Sequence, residues 1–191
     1  MGKIVVTEFV ALDGVVEDPG GSEDFKYGGW SFEFDRGPEG NEFKLDETRA
    51  SSALLLGRVT YEGFAEAWPS RTGEFADKFN GMRKYVVSGS MDEADWNNSV
   101  VVRPDAIVDT VTRLRGEPGG DVLVNGSAQV IEVLRANDLV DEYRLMVFPT
   151  VLGAGKRMFA GGADATALRL MDAKPAGETL ILVYEPVRDA R

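Results

Sequence analysis

The chain has 191 residues, 43% apolar and 28% charged, which is enough for one sizeable domain. Its net charge of −11, without any basic block, makes a phosphate backbone a poor partner, so nucleic acid is not expected. There is no cysteine and no histidine, which excludes disulfides, thiolate nucleophiles, His-based zinc sites and the Ser-His-Asp triad.

The chain opens on a β-branched run, Ile4–Val10, which reads as a core strand. A long Gly- and acid-rich loop, 13–30, follows and carries the rings Phe25, Tyr27 and Trp30. Loops of that length inside a compact domain are usually functional or mobile. Helical patterning runs from about Asn41 to Ser51, and Ala53–Leu56 is a short apolar strand. Gly57-Arg58-Val59-Thr60 opens a helix that Pro69 stops. Strands are expected at Lys84–Val87, Val100–Val102 and Asp121–Val124, with a helix from Pro104 to about Arg115. Ser127–Ala136 reads as a helix with Val130, Ile131, Val133 and Leu134 on its buried side. The tail changes to strands, Tyr143–Phe148, Ala167–Met171 and Thr179–Tyr184, with turns at Gly153, 161–162 and 174–177. The pattern predicts one α/β domain over 1–191, a mainly parallel sheet finished by an antiparallel portion. No segment approaches the ~18 apolar residues of a membrane span, and no signal peptide opens the chain. A cytoplasmic address is therefore expected. The alternating tail strands leave an apolar edge or face that a second copy could cover, so a homodimer is the expected assembly.

The small and polar residues gather at three strand ends: Gly57-Arg58-Val59-Thr60, Ser88-Gly89-Ser90 and Asn125-Gly126-Ser127-Ala128-Gln129. In a parallel sheet these ends share one edge, where ligands bind. Helix N-termini there offer unpaired N–H groups suited to phosphate, and glycine lets the backbone approach. Any one junction also reads as ordinary helix capping. No GxGxxG follows a strand, and Gly153-Ala154-Gly155-Lys156 departs from the phosphate-loop pattern and reads as a turn. Lys156 and Arg157 close that turn or face a partner chain.

Pocket candidates are Asp13, Tyr27, Trp30, Glu42 and Asn125. Tyr27 and Trp30 either cover a flat substrate or plug the core. Glu42, with Asp46 and Glu47, either supplies a carboxylate or simply favours the start of a helix. Asp13 before Gly14 is also ordinary turn chemistry. No metal site is expected. Arg58 either meets a phosphate or pairs with Glu62 four residues on.

The segments Ala11-Leu12-Asp13-Gly14, Leu54–Glu62, Val122–Gln129 and Leu139–Phe159 resemble the dihydrofolate-reductase-like superfamily. Within it they are closest in pattern to the reductase domain of the bifunctional riboflavin-biosynthesis deaminase–reductase, the RibD C-terminal domain. The resemblance implies a dihydrofolate-reductase-like α/β fold, helices on both faces of the sheet, and NADPH laid across the strand ends. By motif it assigns Gly57, Arg58, Val59 and Thr60 to the pyrophosphate and 2′-phosphate. Ser88 and Gly89 fall to the adenosine ribose and its phosphate, and Gly126, Ser127, Ala128 and Gln129 to a second pyrophosphate turn. Phe9, Val10 and Ala11 then line the nicotinamide, and Asp13-Gly14 opens the loop folding over it. Two positions depart from the riboflavin-pathway pattern: Asn125 stands where that family has a glutamate, and Phe64 where it has an aspartate. Measured against dihydrofolate reductase, the pocket carboxylate falls near Asn41–Glu42. The expected activity is hydride transfer from NADPH to a small heterocyclic or carbonyl substrate. The alternative is a binding protein that kept the cradle without the chemistry.

Overall fold

The computed structural model describes residues 2–159, 161 and 164–188. Eight strands form one sheet in the order β4-β3-β2-β5-β1-β6-β8-β7. They are β1 (Ile4–Ala11), β2 (Ser51–Gly57), β3 (Arg83–Val87), β4 (Ser99–Val102), β5 (Asp121–Asn125), β6 (Glu142–Phe148), β7 (Leu168–Ala176) and β8 (Thr179–Pro186). The first six are parallel, and β8 and β7 add antiparallel to β6. Helices α1 (Gly37–Ala50), α2 (Arg58–Ala67) and α3 (Glu74–Gly81) lie on one face, and α4 (Ile107–Gly116) and α5 (Ala128–Ala136) on the other. The architecture is the expected α/β one, a mainly parallel sheet finished by an antiparallel portion with helices on both faces.

Alternation along β1 sorts the core. Ile4, Val6 and Val10 pack with α4 and α5, while Val5 and Ala11 join the clusters beneath the other helices. The second face is aromatic: Tyr61, Phe64, Trp68, Phe75, Phe79 and Trp96 interlock, with Trp68 and Phe79 centroids 4.8 Å apart. Strand β1 is central to the topology. The chain runs from β1 past β5's place to β2, β3 and β4, then returns through β5 and crosses to β6 on the other side. The C-terminal ends of β1 and β5 therefore form the crevice where connections diverge, with α1 on one face and α5 on the other.

Several boundaries differ from expectation, each for a local reason. Helix α3 was not anticipated, since its eight residues follow a Pro- and Gly-bearing stretch. Helix α1 starts four residues earlier than its periodicity suggests, with Pro38 in its first turn. Strand β7 continues through Pro175 to Ala176, where a turn was expected at Lys174. It is the edge strand, which tolerates a missing N–H, and the turn falls at Gly177–Glu178. Val133, expected in the buried stripe of α5, is 37% exposed; Val130, Ile131 and Leu134 alone face the core. Of the expected 161–162 turn, residue 162 lies outside the described residues. Among the described residues, no helix is long and apolar enough to cross a membrane.

Candidate active site

Two of the three strand ends interlock. Strand β2 ends at Gly57, and α2 begins at Arg58 without any side-chain cap, so its first N–H groups are left for another acceptor. Strand β5 ends at Asn125, and Gly126 (φ 60°) and Ser127 (φ 63°) both turn left-handed before α5. A Cβ on Gly57 would fall 2.3 Å from Ser127 Oγ, and one on Gly126 would fall 2.4 Å from Thr60 Oγ1. Each glycine lets the opposite turn come close, and Gly126 also needs its positive φ. Ala128 and Gln129 begin α5 at the mouth of this contact, and the N–H of Val130 reaches Ser127 Oγ at 3.4 Å.

The third strand end is a turn and not a helix start. Residues 88–98 run irregularly into β4. The buried Ser88 hydroxyl accepts from the N–H groups of Ser90 and Met91 at 3.2 and 3.0 Å, which holds the turn and leaves Gly89 exposed. Arg58 is exposed and donates from Nη1 to both carboxylate oxygens of Glu62, at 2.9 and 2.8 Å. Val59 beside it is also exposed. An open cleft of about 680 Å³ adjoins this end, lined by Tyr61, Glu62, Met91, Glu93, Asp95 and Trp96 among others.

Between the interlocked turns and α1, β1 buries polar residues. Thr7 pairs in register with Asn125. Its hydroxyl donates to the Glu47 carboxylate at 2.9 Å and accepts from Lys44 Nζ at 2.7 Å, and Lys44 and Glu47 are themselves an ion pair. Lys44 Nζ and the Arg36 guanidinium lie 5.3 and 5.6 Å from the Phe9 ring, which rests on Phe148. Val10 and Ala11 are buried in the core, so the end of β1 presents backbone rather than side chains. Glu8 points to the opposite face, beneath the Gly126 turn, and is 4% exposed. Burial pushes its carboxyl up to about 8, against the pull of Lys44 and the Gly126 amide, with Glu47 and Glu23 adding to the rise. Among the described residues, Glu8 Oε1, Asn125 Nδ2 and Asp13 Oδ1 are buried without a hydrogen-bond partner.

The 12–29 loop is a built rim. Asp18 is buried and its carboxylate accepts from the Ser22 and Phe25 amides. Asp13 Oδ2 accepts from Gly153 N at 2.8 Å, Glu17 accepts from Lys156, and Val15 bridges Arg157. Lys156 and Arg157 thus close the turn against the loop. Trp30 is core: it is 2% exposed, stands edge-on to Phe148 at 5.3 Å, and donates from Nε1 to Glu17 O. Tyr27 is half-exposed and packs edge-on against Phe25.

Glu42 is placed away from this pocket. It lies on the outer face of α1, where Arg49 gathers Glu42, Asp46 and Glu74. Five residues on, Glu47 takes the inward position, because five steps of about 100° carry it one full turn and about 140° further round the helix. Glu8, Thr7 and Lys44 went unmarked by sequence. The available signal was a glutamate inside an apolar strand, Ile-Val-Val-Thr-Glu-Phe-Val, whose carboxylate must go somewhere.

A model of the family described as the RibD C-terminal domain matches residues 2–182. The uncharacterized protein YwjB of Bacillus subtilis (strain 168) is 30% identical over 182 residues, 95% of this chain and 97% of that protein. A putative riboflavin biosynthesis protein from Shewanella sp. PV-4 superimposes with a TM-score of 0.76 at 18% identity, covering 97% of this chain and 99% of that one. Dihydrofolate reductase from Enterococcus faecalis, complexed with NADP(H), gives 0.59 at 16% identity, over 97% and 96%.

Proposed function

The chain belongs to the RibD C-terminal domain family, and on that premise we propose that it is an NADPH-dependent reductase of a small heterocyclic or carbonyl substrate. The observation that carries this is the interlocked pair of turns at the ends of β2 and β5, beside the β1–β5 crevice and the buried polar pocket of β1. The residues fit a phosphate-bearing cofactor: α2 begins uncapped, and glycine backbone forms the floor between the two helix starts. The amides of Gly57–Thr60 and of Gly126–Gln129 would hold the pyrophosphate. Arg58, Ser88 and Gly89 would meet the adenosine end, and the Phe9–Ala11 backbone the nicotinamide. When bound, the cofactor supplies hydride. The protein then has to orient the acceptor, exclude water and manage one proton.

Titrating the protein with NADPH by fluorescence tests the reading, followed by a screen of pterin, pyrimidine, quinone and carbonyl acceptors for loss of reduced-cofactor absorbance. Saturable binding with turnover is expected, and absence of saturable binding would sink the proposal. The second reading, a binder without chemistry, is favoured by Asn125 and by the outward placement of Glu42. Saturable binding without oxidation by any acceptor class would select it.

A further inference from the structure

A reductase needs a proton as well as a hydride, and this chain has no histidine or cysteine to supply one. Nearby acids and bases are mostly committed. Glu47 holds Thr7 and Lys44, Glu17 holds Lys156, and Asp18 holds loop amides. Glu8 differs. It lies in β1 next to Thr7, under the Gly126 turn, with Oε1 buried and unpartnered. Asn125, the register partner of Thr7 and neighbour of Gly126, has its Nδ2 equally unpartnered. Thr7 and Asn125 are the last registered pair of β1 and β5, so the two unpartnered atoms flank, from opposite faces, the opening where these strands part. Buried polar atoms without partners are uncommon in folded proteins, and two around one opening mark a place built for a ligand with polar atoms of its own.

Resting on the reductase reading, we propose that Glu8 is the proton donor, delivering the Oε1 proton to the acceptor's heteroatom while Asn125 Nδ2 donates a hydrogen bond to the same ligand. The electron balance is simple. The acceptor's C=N or C=O carbon gains a C–H bond with the hydride pair from reduced nicotinamide. Its π pair moves to the heteroatom, which forms a new N–H or O–H bond as the Glu8 O–H bond breaks. Glu8 is left as carboxylate and regains its proton from water after product leaves. Burial keeps the acid form through neutral pH. The charged groups that act on it are Lys44 and Glu47 of α1, from the other side of the strand, and Glu23 of the 12–29 loop. Lys44 offsets the new negative charge.

The test uses the full chain and Glu8→Gln, which keeps shape and removes the transferable proton. Infrared difference spectra between wild type and variant, with and without NADPH, should contain a protonated-carboxyl stretch at pH 7 that fades above about pH 8. With a 7,8-dihydropterin or a quinone as probe, kcat in Glu8→Gln should fall about 100-fold or more. NADPH affinity should stay within about twofold, and the alkaline limb of the wild-type pH profile should vanish. Glu8→Asp should recover part of the rate. A missing carboxyl band, or unchanged kcat in a folded Glu8→Gln, overturns the assignment even when NADPH binds. A wild type that shows the band and binds no NADPH fails the reductase reading, and the donor role with it.

Discussion

Two of the buried ionisable groups among the described residues, Glu8 under the Gly126 turn and Lys84 on β3 beside the aromatic cluster, are settled in opposite ways. Lys84 is 0% exposed. It donates to the carbonyls of Asn80, Met82 and Asn97 at 2.8, 2.8 and 2.9 Å, and lies 4.1 Å from the Trp96 ring centroid. All three protons are used, so the ammonium ties the end of α3 to β3 and the segment before β4. Glu8 keeps an oxygen free. Burial pushes both groups to about 8, Lys84 downward and Glu8 upward, so their titration positions alone would not tell them apart. Saturation of hydrogen bonds does. A buried group with every hydrogen-bonding site filled holds structure, whereas one with a site left open can still meet a ligand.

The comparison is broken or sharpened most strongly at Lys84. Lys84→Met strands three carbonyls and should cost about 3–5 kcal/mol in denaturant unfolding, while NADPH affinity of the remaining folded protein is unchanged. A loss under about 1 kcal/mol would mean that the lysine is no staple. Gly126→Ala comes next. The positive φ and the contact with Thr60 predict a stability loss of about 1–3 kcal/mol, together with weaker NADPH binding, because the displaced amide serves both Glu8 and the cradle. Weaker binding at full stability would show that the turn exists for the ligand alone.

The pH dependence of stability separates the pair. Glu8 rises from an ordinary 4.5, so the native state binds the extra proton and stability falls as pH climbs from about 4.5 to 8. Lys84 drops from 10.5, so the unfolded state binds the extra proton and stability recovers from about 8 to 10.5. Each slope is at most about 1.4 kcal/mol per pH unit. Subtracting the curve of Glu8→Gln from that of the wild type should isolate the fall, and subtracting that of Lys84→Met the recovery. Identical slopes in all three proteins would contradict both assignments. The smallest effect concerns an exposed charge that is already partnered. Glu62→Ala frees Arg58 and should raise preference for NADPH over NADH by a few-fold, whereas Arg58→Ala should lower it by about tenfold. Equal changes for both cofactors would leave Arg58 as a helix-surface pair only.

Much of this was readable beforehand because the signals were local. β-branched runs gave the parallel strands, and Gly-Arg-Val-Thr and Asn-Gly-Ser gave the two turns at the crevice. What escaped depends on facing. Glu42 and Glu47 are indistinguishable by composition, yet helical phase sends one to Arg49 at the surface and the other to Thr7 inside. A ring at Trp30 fits a lid or a plug by sequence alike, and only Phe148, from the distant β6, makes it a plug. Lys84 was counted as part of a strand with no hint of its burial, because its three acceptors come from two segments on either side of it. Glu8 has no local partner that reveals its role, because the Gly126 turn above it comes from β5, far along the chain.

The position of β1 has a consequence for how the chain reaches this state. Of the eight strands it is the first to be made, but both strands that pair with it, β5 and β6, begin at Asp121 or later. Helix α1 and strands β2, β3 and β4 are all made while β1 has no neighbour along either edge. The rim contacts from Asp13 and Glu17 to Gly153 and Lys156 span an even greater length of chain. Such long-range closure slows folding. The crevice that carries Glu8 therefore cannot close until β5 is made, nor its rim until 153–156, and nascent chains stalled before β5 expose a hydrophobic strand on which chaperones and aggregation compete.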